Sequence, residues 1–224
     1  MTENGEMKNS SRDQTGSAIV TYPNNDIYEG YFQTGIREGR GTYRYAINGD
    51  KYEGEWKMNL RHGIGTMAYV GKGVYQGYWE NGRRHGEGMF TYPNGDVYSG
   101  WWRFGEKEGT GSYLNKSTGM KLYGQWCEGE MKTGRWIYPN GTYFEGNFTQ
   151  NKPQGEGTWY FKNGNVMNGS YEHKKKEVGE DDEPEPELEE GQEESQVPKS
   201  NIDLVWHAKT DIASSAHMVN SVQH

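Results

Sequence analysis

The chain has 224 residues, of which only 31% are hydrophobic, and it carries a formal net charge of −8. Its mean hydropathy of −1.12 is in the range of disordered chains, but its 33 glycines and its aromatic content of 14% argue otherwise. Aliphatic residues are few, whereas each buried aromatic ring removes roughly 150–250 Å² from water. This composition argues against a compact α/β domain and favours a thin sheet covered by rings.

Few signals indicate the cellular compartment. The single cysteine, Cys127, excludes an intramolecular disulfide and a Cys-x-x-Cys metal site, which predicts a reducing compartment. Residues 1–14 have no apolar core of the kind that a signal peptide needs, and they are expected to be disordered. No run approaches the ~18–20 apolar residues that cross a bilayer. We therefore expect a soluble intracellular protein.

An aromatic-x-Gly-x-aromatic motif recurs seven times, with an aliphatic residue in the first position of two copies. Its glycines are separated by 24, 23, 23, 24, 22 and 23 residues, a regularity that chance does not produce. Gly16 precedes Gly30 by the offset that separates Gly63 from Gly77, so the array is predicted to begin with a half-unit near residue 15. The seven motifs are Tyr28–Phe32, Tyr52–Trp56, Tyr75–Trp79, Tyr98–Trp102, Leu122–Trp126, Phe144–Phe148 and Met167–Tyr171.

A second motif, Gly-x-Gly, lies between the copies of the first, with a degenerate version at Gly134-Arg-Trp136. Aromatic and polar residues then alternate, which is typical of a half-buried strand. A turn such as Asn94-Gly95 follows, and Asn-Gly between two strands indicates a hairpin in which both turn residues have positive φ. The glycine of the aromatic motif is expected to leave room for rings of the next hairpin.

These units predict an all-β fold. One hairpin is marginally stable in water, so about fourteen strands are expected to stack ~4.8 Å apart into an elongated single-sheet ribbon on the order of 65 Å long. The array would cover residues 15–172 in about seven units. Its pattern of Tyr-x-Gly-x-Trp, His-Gly-x-Gly and Asn-Gly resembles the MORN (membrane occupation and recognition nexus) repeat.

A basic residue precedes the Gly-x-Gly motif in most units. If the units stack in register, these residues fall along one edge at intervals of ~10 Å. The edge is then either a solvated rim or a docking edge for an acidic partner or an anionic surface. The residues are Arg37, Arg61, Arg84, Lys107 and Lys132.

No catalytic constellation is evident. His62 and His85 share a repeat position that carries Glu, Thr or Gln in other units, so they are predicted to be turn residues and not metal ligands. Nothing near Cys127 in the sequence suggests an activated nucleophile. The glycine pairs lack the strand and helix context of a dinucleotide site. We expect no enzymatic activity, no cofactor, no metal and no nucleic-acid partner.

The C-terminal segment changes character. Between residues 177 and 194 there are eleven acidic residues and no Lys or Arg, so residues 173–198 are predicted to be a charged, mainly acidic, disordered linker. One hypothesis is that this acidic run folds back over the basic edge. In residues 199–224, the alternating Ile202, Leu204 and Trp206 form either a partner-binding segment that adds a strand to a neighbour's sheet or uncommitted disorder.

MORN repeats followed by an acidic stretch, Val197-Pro-Lys199 and Trp206 are similar to the radial spoke head proteins of motile cilia and flagella. This resemblance implies a structural subunit of the axonemal radial spoke, in the cytoplasm and cytoskeleton, whose partners are other radial spoke head proteins. Spoke heads bear repeated collision, for which a ribbon with many main-chain hydrogen bonds is suited.

Two other functions are compatible with MORN arrays. Resemblance to junctophilins and plant phosphatidylinositol phosphate kinases implies a membrane-apposition or phospholipid-binding scaffold, although the acidic tail would be repelled by an anionic leaflet. An enzyme would need a catalytic domain beside the array, and the residues after the last motif are too few and too charged to form one.

A homodimer is also possible. Rings that we expect to be exposed, Trp79, Trp101 and Trp102, and open strand edges near Gly16 and at Met167–Tyr171 could pair with another chain.

Overall fold

The computed structural model describes residues 13–175 and 202–214, and every regular element in these ranges is a β-strand. The strands form one sheet in which the spatial order equals the order along the chain, and neighbouring strands pair antiparallel. The all-β prediction is therefore confirmed, including the half-unit that opens the array. No helix in the described ranges could cross a membrane.

The chain divides into two compact units, residues 1–108 and 109–224, and β9 (Glu106–Leu114) runs across the division. The first unit contains β1 (Gly16–Thr21), β2 (Ile27–Gln33), β3 (Ile36–Arg44), β4 (Lys51–Lys57), β5 (Leu60–Tyr69), β6 (Gly73–Glu80), β7 (Arg83–Thr91) and β8 (Val97–Arg103). The second unit contains β10 (Lys121–Cys127), β11 (Glu130–Ile137), β12 (Tyr143–Thr149), β13 (Lys152–Tyr160), β14 (Asn165–Lys175) and β15 (Ile202–Ser214).

Two kinds of connection alternate along the sheet. The first kind is a two-residue turn with positive φ at both positions, as at Asn81 (50°) and Gly82 (81°) between β6 and β7. This geometry matches the right-handed twist of the flanking strands. The sequence prediction did not identify these turns, because several of them lack the Asn-Gly signal. The others are Thr34-Gly35, Met58-Asn59, Phe104-Gly105, Glu128-Gly129 and Gln150-Asn151.

The second kind of connection is a longer loop, and it contains Asn-Gly pairs such as Asn94-Gly95. Gly95 has a φ of 84°, but Asn94 does not have a positive φ, so the prediction of positive φ at both residues is wrong here. The Gly95 amide donates to the Tyr92 carbonyl, and the Asn94 side chain accepts a hydrogen bond from the Asp96 amide at 3.0 Å. Asn therefore acts as a side-chain acceptor that shapes the loop.

The first glycine of Gly-x-Gly lies in a β-bulge. Gly77 pairs with Gly88 and Trp79 pairs with Arg84, so Tyr78 alone faces residues 85–87 of the neighbouring strand. Two extra residues must be accommodated there, and Gly86 does so with a φ of 61°. Gly39, Gly63, Gly109 and Gly155 have φ values between 58° and 69° at the same repeat position.

The second glycine belongs to a continuous row of glycines. In the first unit, each faces the next across the strands, in the order Gly30, Gly41, Gly54, Gly65, Gly77, Gly88 and Gly100. The ring of Tyr75 covers Gly77 and Gly88, and a Cβ atom on Gly77 would lie 2.7 Å from its hydroxyl oxygen. The space is therefore filled by the motif's own first ring, and the prediction of a ring from the next hairpin is wrong.

The core of the first unit is a chain of edge-to-face rings, which we call the ring ladder. Its members are Tyr28, Trp56, Tyr52, Trp79, Tyr75, Trp102 and Tyr98. Trp79 contacts Tyr52 at 5.3 Å and Tyr75 at 5.2 Å between ring centroids. Its indole nitrogen donates to the Gly65 carbonyl at 3.2 Å. Each Trp thus joins two motifs, because edge-to-face pairs and indole hydrogen bonds add to the burial of the rings.

The irregular spacing of the motifs follows from loop and bulge lengths. The 24-residue spacings contain loops that are one residue longer, such as the loop closed by the hydrogen bond from the Gly49 amide to the Tyr45 carbonyl. The 22-residue spacing contains the degenerate unit. There Thr133 faces Gln125 and Met131 faces Trp126, which leaves one extra residue in the bulge where other units have two.

We predict that Gly88→Ala lowers the free energy of unfolding by about 1–3 kcal/mol, because the new Cβ overlaps the Tyr75 ring and overpacked sites cost that much. Urea unfolding followed by tryptophan fluorescence measures the effect. The matched control is Glu87→Ala, whose side chain is exposed on the other face and should change stability by less than about 0.5 kcal/mol. Equal stability of the two variants would contradict the role assigned to the glycine row.

Candidate protein-interaction surface

The two faces of the sheet differ in the first unit. The ring ladder occupies one face, and we call the opposite side the open face. Five large apolar side chains on the open face are more than one third exposed: Tyr31, Ile64, Tyr78, Met89 and Trp101. Each lies next to a ring-face residue in the sequence, because successive side chains of a strand point to opposite faces.

Three of these residues lie in one row across neighbouring strands. Ile64 on β5 is directly opposite Tyr78 on β6. Trp101 on β8 is directly opposite Glu87 on β7, and Glu87 belongs to the segment that Tyr78 faces across the bulge. The backbone next to Tyr78 is glycine, and a Cβ on Gly86 would lie 3.4 Å from the Tyr78 Cβ. The strand register therefore defines an apolar row on the open face.

Charges of both signs surround this row. Arg40 on β3 faces Glu55 on β4, while Glu87 and Arg103 lie beside Trp101. A mixed distribution creates no strong field that would attract a polyanion. Exposed aromatic and methionine side chains with a mixed polar surround are typical of protein interfaces.

Three of the predicted basic-edge residues pack against the ring ladder. The guanidinium carbon lies 4.5 Å from the ring centroid of Trp56 for Arg37, of Trp79 for Arg61 and of Trp102 for Arg84. A guanidinium over an indole face is a cation–π contact. All three side chains are half-buried, so their contacts are internal to the sheet. That any of them also binds a partner stays a prediction.

The same arginines tie consecutive units together. Arg84 donates to the carbonyl of Gly105 at 2.7 Å, and Arg61 donates to the carbonyl of Gly82 at the same distance. Both carbonyls lie in the two-residue turn of the next unit. The arginine therefore supplies a charged hydrogen-bond donor to a carbonyl of the turn, outside the main-chain hydrogen bonds between the strands.

The last two basic residues behave differently from each other. Lys107 places its ammonium 5.4 Å from the ring centroid of Tyr98. Lys132 is exposed and bonds to Glu130 at 2.8 Å, and this hydrogen bond raises the pKa of Lys132. Met131 takes the ring-face position, so the placement of Lys132 on the arginine edge is wrong by one residue. The shorter bulge of the degenerate unit causes this shift.

The three tryptophans that were expected to be exposed divide between the two faces. Trp101 is 50% exposed, which confirms the prediction for that residue, whereas Trp79 and Trp102 are 3% and 4% exposed. The prediction of exposed rings is therefore wrong for Trp79 and Trp102. Strand alternation places only one of the adjacent Trp101 and Trp102 on the open face.

The tail segment belongs to the sheet of its own chain. β15 pairs antiparallel with β14, with Tyr171 opposite Trp206 and Gly169 opposite Ala208. The prediction of an open edge at Met167–Tyr171 is therefore wrong.

Ile202 and Leu204 pair with residues 175 and 173, which the sequence assigned to a disordered linker. Residues 176–198, including the acidic run that we expected to fold back, lie outside the described residues.

The histidines and the cysteine show no common site. His62 faces Glu55 beside the bulge, and the His85 ring nitrogen lies 3.4 Å from a Glu80 oxygen. Cys127 is half-buried at the end of β10. Within residues 13–175 and 202–214, no three His, Cys, Asp or Glu side chains are grouped to hold a metal ion.

One buried carboxylate stabilises neighbouring loops and was not identified from the sequence. Asp26 accepts hydrogen bonds from the Tyr43 hydroxyl at 2.7 Å, the Ala46 amide at 2.7 Å and the Asn24 side chain at 2.8 Å. Burial alone would raise the pKa of Asp26, but these hydrogen bonds together lower it. Burial and the bond to Asp26 raise the pKa of Tyr43, so the hydroxyl remains a donor.

We predict that Asp26→Asn lowers the free energy of unfolding by about 1.5–3 kcal/mol at neutral pH, the range expected for hydrogen bonds to a charged group. Because the pKa of Asp26 is lower in the folded state, its contribution is complete above the unfolded value of ~3.9 and is lost as the pH falls through the folded value. Urea unfolding between pH 3 and pH 7 measures this. A difference that persists unchanged at the acid end would contradict it.

We predict that Arg84→Ala lowers the free energy of unfolding by about 1–3 kcal/mol, because it removes a charged hydrogen bond and a cation–π contact. Thermal unfolding measured by circular dichroism tests the change. Lys132→Ala is the matched control and should leave the midpoint unchanged, since that side chain is exposed. Equal midpoints for both variants would mean that the arginines are solvated and do not hold the units together.

Comparison with known proteins identifies the repeat. The model of the MORN repeat matches residues 28–49, 52–74, 75–97 and 144–166. Each match begins at or next to the first residue of an aromatic motif, and the stretch between the third and fourth matches includes the degenerate unit. No curated protein matches the sequence.

Two solved structures from Drosophila melanogaster are similar to this chain. The SAS-4 (dCPAP) TCP domain, in complex with a proline-rich motif of Ana2 (dSTIL), is 19% identical, with 68% of this chain and 83% of that chain covered at a TM-score of 0.45. The TCP10c domain of Sas-4 is 10% identical, with coverages of 70% and 90% and a TM-score of 0.36. The repeat model and the periodic sheet agree, and the chain therefore contains MORN repeats.

Proposed function

We propose that the protein is a non-enzymatic structural scaffold in the head of the axonemal radial spoke of motile cilia or flagella. The MORN repeats, the acidic run, Val197-Pro-Lys199 and Trp206 support this assignment. The pattern resembles that of the radial spoke head protein 1 homologue, with radial spoke protein 10 as the second type. Its partners would be other radial spoke head proteins.

The separation of the two faces is the observation that best supports a scaffold. The periodic rings of the first unit are buried in the ring ladder, and the arginines are packed against them. The open face keeps Tyr78, Trp101 and Ile64 accessible. The repeat position of Tyr78 and Trp101 carries Tyr31 and Glu55 in the other two motifs of the first unit. A rigid sheet with an individual pattern of exposed side chains can hold a specific protein partner.

A membrane-apposition scaffold is the second candidate, and the arginine contacts weigh against it. Binding to an anionic leaflet needs several exposed basic groups near the surface, each contributing about 1 kcal/mol. Arg37, Arg61 and Arg84 are half-buried against rings, and the open face carries both signs of charge.

We predict that the tagged protein, expressed in cells with motile cilia, remains on axonemes after detergent extraction. The double variant Tyr78→Ala with Trp101→Ala should lose most of the axonemal signal with little change in its thermal midpoint, because both side chains are half-exposed. Immunofluorescence of isolated axonemes measures the retention.

Gln76→Ala is the matched control, because Gln76 is an exposed residue on the same face of β6, and it should retain the full axonemal signal. Location at the plasma membrane or reticulum would contradict the proposal. So would salt-sensitive flotation of the purified protein with anionic liposomes.

A further inference from the structure

The outer side of β14 has the features of a binding site for an extended peptide strand. Strand addition provides main-chain hydrogen bonds for affinity and side-chain recesses for selectivity. β15 makes the backbone pairs along this edge, from residue 175 opposite Ile202 to Asn165 opposite Ser214. The register of this pairing shifts between Met167 and Gly169. The shift separates the pairs from Gly169–Ala208 to residue 175–Ile202, which include Trp206, from the pairs nearer the end of β15.

A recess on β14 accommodates an indole. The Trp206 ring lies 4.9 Å from the ring centroid of Tyr171 and 5.9 Å from that of Phe144, and its nitrogen donates to the Met167 sulfur at 3.4 Å. Gly169 forms the floor, because a Cβ atom there would collide with the indole. The recess therefore depends on Gly169, which faces Gly157 on β13.

Two polar side-chain contacts also hold the bound strand. Lys209 bonds to Glu156 on β13 at 2.6 Å, and the His207 ring nitrogen lies 3.0 Å from a Glu172 oxygen. Together with the indole, they define the chemistry of a ligand: an extended segment with alternating apolar residues, a Trp and a basic residue three positions later. Residues 202–209 of this chain have that pattern.

The covalent connection does not require β15 to be the occupant. Residues 176–201 join residue 175 to its direct pairing partner Ile202, and these 26 residues are far more than the two to five that a hairpin loop needs. Eleven of them are acidic, and like charges this close in sequence repel each other.

We propose that the outer side of β14 is a strand-acceptor site for an extended peptide that carries a Trp and, three positions later, a Lys, and that β15 occupies it as a tethered, displaceable ligand. A tether presents a ligand at an effective concentration on the order of millimolar. An external strand therefore binds well only when β15 is weakened or when that strand binds more tightly. The inference deepens the proposed scaffold role by naming a docking edge.

The test uses the full chain and a fluorescent synthetic peptide of residues 202–214, with binding measured by anisotropy. Two variants weaken β15 by different means: Trp206→Ala removes the indole, and Ala208→Pro removes a backbone donor opposite Gly169. We expect both variants to bind the peptide at least tenfold more tightly than the unchanged chain. Ala208→Ser is the matched control and should bind like the unchanged chain.

A peptide in which Ala replaces the Trp should bind at least tenfold more weakly to both variants. Equal binding of the peptide to the variants and the unchanged chain would overturn the inference, as would no binding to either variant at millimolar concentration. A second copy of the chain would be the natural ligand if the variants also form dimers that the peptide dissociates. Since this measurement uses purified protein, its failure is distinguishable from failure of the axonemal localisation.

Discussion

The close approach of a Tyr ring to a pair of facing glycines is the contact on which the rest of the fold depends. Tyr75 can cover Gly77 and Gly88 only because neither has a side chain. The Tyr75 hydroxyl donates a hydrogen bond to the Tyr78 carbonyl at 2.9 Å. Burial raises the pKa of Tyr75. Trp79 and Trp102 pack edge-on against it from both sides. A sheet with few aliphatic residues thereby acquires a core one ring thick.

The repeated Tyr, Trp, Arg and Gly residues all contribute to this core. The residues that stabilise the fold therefore differ from the residues that are exposed on the open face. The arginines lie on the rings, the glycines lie beneath them, and the two-residue turns are held by arginine donors. What the repeats leave free is the open face, where the alternation of the strands places residues that the core does not constrain. Under the proposed scaffold role, a protein partner would contact exposed side chains of this face, such as Ile64, Tyr78 and Trp101.

The sequence predicted the strands because the period of two and the motif spacing are local properties. It could not distinguish the two glycines of each Gly-x-Gly motif, since one accommodates a bulge and the other a ring, and both effects require only glycine. The placement of Lys132 failed because the bulge of the degenerate unit lacks one residue, so Met131 faces Trp126 at the position where an arginine faces the Trp in other units. The contact of Arg84 with the next turn joins residues 21 positions apart, which no local pattern reveals.

The terminal strands β1, in the first unit, and β15, in the second unit, are built in a similar way. A repeat array must end in capping units that do not need a further neighbouring unit to cover them. At the first strand, Ala18 faces Gly30, and at the last strand, Ala208 faces Gly169. Val20 and Trp206 then cover the terminal rings Tyr28 and Tyr171, which pair with them directly. By this criterion β15 is a terminal half-unit like β1, although a long acidic segment separates it from the repeats.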